Sequence, residues 1–116
     1  MIRIKNTEVA TQLLLHPYDP TLIEIVCWLG EEYPDITITC GYENRPGVHG
    51  TIPCRGIDIR SHIFPDPWKV VNHINDNWCY DPLREHKQVA LCHTVGRGMH
   101  LHIQSHPNTK RIIKGE

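Results

Sequence analysis

No uninterrupted apolar stretch of this sequence approaches the ~18 residues needed to cross a bilayer. The longest, Leu13 to Leu15 and Ile25 to Leu29, are only a few residues each, and Met1-Ile2-Arg3-Ile4-Lys5 opens no secretory apolar region. A cytoplasmic protein with no membrane partner is therefore expected. Charge of one sign is also missing. Lys plus Arg total 12 and Asp plus Glu 13, a formal charge of −1 with neutral histidines, so no overall field draws the chain to nucleic acid or anionic lipid. The one basic cluster is Lys110, Arg111 and Lys114. The five cysteines (Cys27, Cys40, Cys54, Cys79, Cys92) form no C-x-x-C pair. Their odd number and wide spacing predict reduced thiols, mostly buried, and argue against a disulfide framework or a zinc ribbon. Repeats, low-complexity tracts and linkers are absent. With 116 residues, 40% apolar and 22% charged, the chain reads as a single domain over residues 1–116.

Histidine is what the sequence has in excess: nine, two of them in His100-Leu101-His102 within an alternating apolar run. That composition points toward metal or acid/base chemistry. At the start of the chain, Ile2 and Ile4 alternate like a short strand, while Thr7 to Leu15 fits either a helical turn or an extended arm. Asp19 as cap, Pro20 in the first turn and Leu22, Ile25, Val26 and Leu29 at helical spacing predict a helix ending at Gly30. Asp66, Pro67, Val70, Val71, Ile74 and Trp78 repeat that pattern for a second helix ending near Trp78 or Cys79. Asp35 to Cys40 alternates and is β-branched, Arg55 to Ile59 reads as another strand, and Val89–Val95, Gly96-Arg97-Gly98 and Met99–Gln104 read as a hairpin. The long polar connection from Tyr42 to Pro53 has the character of a functional loop.

These elements predict an α+β fold: an antiparallel sheet of about four strands, two helices on its isoleucine-rich face, and a metal site on the other. Strand alternation sends Ile57 and Ile59 one way and Gly56, Asp58 and Arg60 the other; likewise His100, His102 and Gln104 oppose Met99, Leu101 and Ile103. One face thus carries Asp58, His100 and His102. Polar residues on an outer face are ordinary, but a carboxylate with imidazoles is a common ligand set for zinc with an open catalytic position. By the same alternation His93 shares a side with Val89 and Leu91, which predicts an inward histidine.

Read in order, Thr37-Ile38-Thr39-Cys40-Gly41-Tyr42, Arg45, Val48-His49, Arg55-Gly56-Ile57-Asp58-Ile59-Arg60 and His100-Leu101-His102 resemble the zinc D-alanyl-D-alanine peptidases related to Hedgehog and lysostaphin-type enzymes, over about residues 20–106. The resemblance implies a Hedgehog/D-alanyl-peptidase-like fold, one Zn²⁺ held by His49, Asp58 and His102, and hydrolysis of peptidoglycan or its peptide fragments. It further implies that Arg45 grips a substrate carboxylate. Eight residues separate His49 from Asp58, a longer interval than the family's usual one. The acid that the D-alanyl peptidases carry three residues before the last ligand is also missing, since Met99 stands there. The His-x-His pair of the lysostaphin-like and penicillin-insensitive murein peptidases matches His100 and His102 instead. His100 is then the expected catalytic helper, followed by His93, and by Glu85 if its loop folds over the site.

The resemblance leaves open a phage-type endolysin or a cytosolic dipeptidase. A non-catalytic zinc-binding module on the same fold, serving assembly or ligand capture, is the alternative. His16, His62, His73, His86 and His106 are expected in structural or solvent roles. Cys54 and Cys92 are either soft ligands or packing residues. Trp28 and Trp78 read as core anchors, and Trp68 as a cleft residue.

Overall fold

Two Asp-Pro starts open two of the three helices. In the computed structural model, which describes residues 1–95 and 98–113, α2 spans Pro20–Glu32 and α3 spans Pro67–Asn77. Proline has no N–H to leave unpaired in the first turn, and its fixed φ suits the helix. Asp66 caps α3, its carboxylate accepting from the Trp68 N–H at 3.1 Å. Asp19 stands at the cap of α2 but makes no such bond; its carboxylate instead accepts from the buried Ser105 hydroxyl at 2.6 Å. The ambiguous N-terminal stretch is strand then helix: β1 (Ile2–Ile4), then α1 (Thr7–Leu15), capped by Asn6 through the Val9 N–H at 3.0 Å.

The remaining strands are β2 (Ile36–Cys40), β3 (Gly56–Arg60), β4 (Trp78–Cys79), β5 (Ala90–Val95), β6 (Gly98–Gln104) and β7 (Lys110–Arg111). The sheet is mixed, not purely antiparallel, and has five strands in the order β1-β2-β3-β6-β5. The extra strand is β1, which pairs parallel with β2 through Ile2↔Ile36 and Ile4↔Ile38. Parallel neighbours require a crossover connection, and α1 and α2 provide it. The other pairings are antiparallel. A separate ribbon joins β4 to β7, two-residue strands too short to show any periodicity. Gly96, Arg97 and Lys114, named in the expected turn and basic cluster, lie outside the described residues.

One face of the sheet supplies the core. Ile36, Ile38, Ile57, Ile59, Leu101 and Ile103 are buried and cluster with Leu22, Ile25, Val26 and Leu29 of α2 and Val70, Val71 and Ile74 of α3. Trp28 and Trp78 meet edge to face at 6.2 Å, and the Arg111 guanidinium lies 6.0 and 5.8 Å from their rings, a cation–π contact that ties the β4–β7 ribbon to α2. Trp68 is 56% exposed on α3, and it does not line the cleft described below. Its position beside the α3 cap turns it to solvent.

Truncating a wholly buried residue of this face, Ile59→Ala, is expected to cost about 2–5 kcal/mol in urea unfolding. Leu83→Ala, at a side chain 87% exposed, should stay within about 0.5 kcal/mol of the parent. Equal midpoints for the two variants would contradict a core on this face.

Candidate metal centre and its cleft

Alternation from Ile36 and Ile38 would send Cys40 into the core, but a bulge in β2 sends it to the polar face. Ile38 pairs with Ile59 and Cys40 with Asp58, so two steps along β2 match one along β3. Such an inserted residue re-aims the side chains around it. The Cys40 thiol therefore lies beside Asp58, 3.9 Å from His49 Nδ1, and donates to Glu43 Oε1 at 2.8 Å. His49 enters from the long loop on a 3-10 turn, Val48–Gly50, that follows Gly47 at φ +98°, a left-handed conformation that favours glycine. The turn seats directly on β3. A Cβ at Gly56 would stand 2.7 Å from Val48 Cγ2 and 3.2 Å from the His49 nitrogen, so the absence of a side chain there lets the turn close. Backbone bonds from Glu43 to His49 (3.0 Å) and from Arg55 to Val48 (3.1 Å) hold it. Cys54 is wholly buried under the turn, its thiol 3.5 Å from the His49 carbonyl and 3.3 Å from that of Gly56. It acts as packing at that position.

His49, Asp58 and His102 come together, all three buried. Asp58 and His102 face each other across β3 and β6. Asp58 Oδ1 lies 3.1 Å from His49 Nε2 and 2.9 Å from His102 Nδ1. The far nitrogen of each ring meets an acceptor. His49 Nδ1 is 2.7 Å from the Gly41 carbonyl, which only accepts, so Nδ1 carries the proton and Nε2 turns a lone pair toward Asp58. His102 Nε2 is 3.1 Å from Gln104 Oε1. The Gln104 amide cannot be reversed without loss, because its nitrogen donates to the Gln88 carbonyl at 2.8 Å. His102 Nδ1 is thus the second lone pair aimed at the carboxylate. Three acceptors converging in a buried site repel one another unless positive charge lies among them. That charge is either a proton on an imidazole or a bound cation. For metal–ligand bonds of ~2.0–2.1 Å, the edges of a tetrahedral site are roughly 3.3 Å; the two contacts to Asp58 are near that, whereas the His49 and His102 donor atoms are not within 4.8 Å of each other.

Among the described residues, two groups have donor atoms within 4.8 Å of one another and are able to hold a metal ion: Cys40, His49 and Asp58, and Asp58, His93 and His102. Asp58 belongs to both. His49 and His102 fall in different groups, so one ion shared by His49, Asp58 and His102 would require the two rings to close by more than about an ångström on the carboxylate.

Where protons rather than a cation supply the positive charge, burial pushes the Asp58 carboxyl up, but the hydrogen bonds then donated by His102 and His49 outweigh it and hold the group well below the usual carboxylate range. Burial pushes His49 down, while its bond to Asp58, the Asp58 charge and the Gly41 carbonyl together raise it. His93 is lowered, by burial and then by the neighbouring His102. Burial and the Glu43 carboxylate push the Cys40 thiol far up, which keeps it protonated at neutral pH unless a metal takes the proton's place.

Of the trio, Asp58 lines a cleft of about 570 Å³, walled on one side by Asn6, Glu8, Val9 and Gln12 around α1, while His49 and His102 lie buried behind it. His93, His100 and Arg45 line it, Arg45 paired with Glu43 at 3.2 Å. His93 is exposed and not inward. Leu91 pairs with His102 and His93 with His100, which places them on the polar face, while Ala90 and Cys92 oppose Ile103 and Leu101. Its ring is 5.2 Å from that of His102. Glu85 stands in an exposed turn before β5 and is not among the residues lining the cleft. The cysteines are free, but only Cys54 is buried; Cys27 is exposed and the other three are partly so. Sequence reasoning missed Cys40 and Glu43, since the bulge leaves no mark in the alternation. It also missed Gln104 as the group that orients His102, although its place two residues beyond His102 on the same face pointed there.

Comparison with protein-family models, curated proteins and solved structures finds no match for this chain.

If Gln104 fixes the His102 tautomer, Gln104→Leu should weaken divalent-metal binding, titrated with zinc, by about 10- to 100-fold while the fold persists. An unchanged affinity would remove that role. In metal-stripped protein the lowered Asp58 contributes stability above its unfolded pKa of ~3.9, and this is lost as pH falls through the folded value. The raised His49 works oppositely: its contribution is complete below ~6.5 and fades as pH rises through its folded value. Urea midpoints against pH should therefore show an acid limb that Asp58→Asn flattens. An identical limb in the variant would assign acid sensitivity to other groups.

Proposed function

We propose that this chain is a zinc-dependent peptidase that hydrolyses amide bonds in peptidoglycan stem peptides or related D-amino-acid peptides. The observation that carries the reading is the approach of two imidazole nitrogens, each ring held from behind, to one carboxylate oxygen of Asp58, which lines an open cleft. Two neutral nitrogens and one anionic oxygen suit zinc and leave a position for water. The order of the motifs, resembling that of the D-alanyl and lysostaphin-like peptidases, supports the substrate class. A zinc ion bound there supplies a hydroxide nucleophile near neutral pH and polarises the scissile carbonyl.

The chain's own residues do the rest. Arg45 binds a substrate carboxylate, which displaces the half-exposed Glu43 from the guanidinium. His93, whose basicity is held down, stands neutral at the cleft and takes the proton released by the attacking water. It returns that proton to the leaving amine. His100, its partner across β5 and β6, donates to the carbonyl oxygen as negative charge develops there.

A non-catalytic zinc module remains the second reading, favoured by one observation: Met99, not an acid, stands three residues before His102. Metal content by mass spectrometry, followed by assays on murein peptides, separates the two. About one zinc per chain is expected in the parent, with loss in Asp58→Ala and His102→Ala. His93→Ala and His100→Ala should keep the metal and lose about 100-fold or more in kcat. Metal retention with no hydrolysis by the parent would favour the module, and folded protein that takes up no zinc would end both readings.

A further inference from the structure

A second depression adjoins the cleft, and its lining is cationic without relief. It encloses about 250 Å³ and is lined by Lys5, Thr39, Arg60, Ser61, His62 and His100, together with Gly98 and Met99. Among the described residues no carboxylate lines it. Among the described residues, neither Lys5 nor Arg60 makes an ion pair. Thr39 is one of the lining residues, and its Oγ1, shut off from solvent, has no hydrogen-bond partner. A buried hydroxyl so placed has a donor to give to an incoming acceptor.

The depression is built on the same strands as the metal centre. Arg60 lies two residues beyond Asp58 on β3, and His100 two residues before His102 on β6, and the two are register partners. At ~3.3 Å per residue, this places the cationic groups roughly 7 Å along the sheet from the ligand pair. The Ser61 hydroxyl donates to the Met99 carbonyl at 2.7 Å and locks the strand ends together. Lys5, Thr39 and His100 line both hollows, so an occupant of one is continuous with an occupant of the other. An extended peptide advances ~3.3–3.6 Å per residue, so a group here lies about two residues from the bond over the metal.

We propose that this depression is an anion subsite, in which Lys5, Arg60 and the Thr39 hydroxyl bind a carboxylate of the peptide substrate about two residues from the scissile bond. The assignment of its occupant as substrate rests on the peptidase reading. The subsite selects acidic peptides: Arg60 and Lys5 supply charge-assisted hydrogen bonds, and an amidated residue in the same place leaves both cations and the hydroxyl without an anion to bind.

Two measurements test it independently. Amide shifts of Thr39 and Ser61, followed by NMR during titration with glutarate, should move and saturate, and Lys5→Gln/Arg60→Gln should abolish the response at an unchanged urea midpoint. No saturable shift would overturn the subsite, and tighter binding of inorganic phosphate than of glutarate would overturn the carboxylate assignment. In hydrolysis, kcat/KM for an acidic peptide over its amidated twin should exceed unity by about tenfold, the size of one charge-assisted hydrogen bond, and the double variant should bring the ratio near one. Hydrolysis indifferent to the acid would overturn the subsite and leave the peptidase reading standing. Glutarate binding without hydrolysis of any peptide would support an anion site and remove the peptidase reading.

Discussion

A carboxylate oxygen wedged between two imidazole nitrogens is the interaction around which the polar face is organised. Asp58 Oδ1 has His49 on one side and His102 on the other, at 3.1 and 2.9 Å, and such a contact is tolerable in a buried place only with positive charge at its centre. The surroundings settle which atoms meet there. Gly41 and Gln104 each claim the outer nitrogen of a ring, and the Gln88 carbonyl in turn claims the Gln104 amide. Because each of these groups can only be arranged one way, the inner nitrogens face the carboxylate whether a proton or a cation supplies the charge between them.

The backbone contributes two irregularities without which the ring of donors would not close. The bulge in β2 rotates Cys40 out of the core and toward Asp58. The bare face of Gly56 lets the Val48–Gly50 turn settle onto β3, so His49 reaches the carboxylate from above while Asp58 and His102 reach it from within the sheet. The opposite face of the same strands is packed with isoleucine and leucine against α2 and α3. A single set of alternating residues thus fixes both the rigidity of the platform and the identity of the groups it displays.

Much of this was legible in the residues themselves. The Asp-Pro starts marked α2 and α3, and period-two alternation marked β2, β3 and β6, which was enough to put Asp58 and His102 on one face. Two kinds of feature were hidden. The first depends on pairing: β1 is a three-residue strand whose parallel partner lies beyond two helices, and nothing local says whether such a stretch runs with or against its neighbour. The face of His93 likewise follows from its register against His100, not from the alternation of its own strand. The second depends on irregularity. An inserted residue at Thr39-Cys40 breaks the parity on which the reading of faces relies, so Cys40 and Glu43 escaped notice. Glu85 shows the converse: a chemically suitable acid that the chain leaves in an exposed turn.

The pairing of β3 with β6 also governs when the centre can exist during synthesis of the chain. His49 and Asp58 lie only 9 residues apart, whereas Asp58 and His102 are separated by 44. As the polypeptide emerges, the near pair can form early, with Cys40 beside it. His102 arrives only after the intervening α3 and β5 have been made and the long loop closed, an entropic cost that only sheet pairing and core burial can offset. The contact of Asp58 with His102 is thereby deferred to the last stage of folding, and a chain stalled before β6 has a carboxylate with only one of its two imidazoles and an unpaired strand edge.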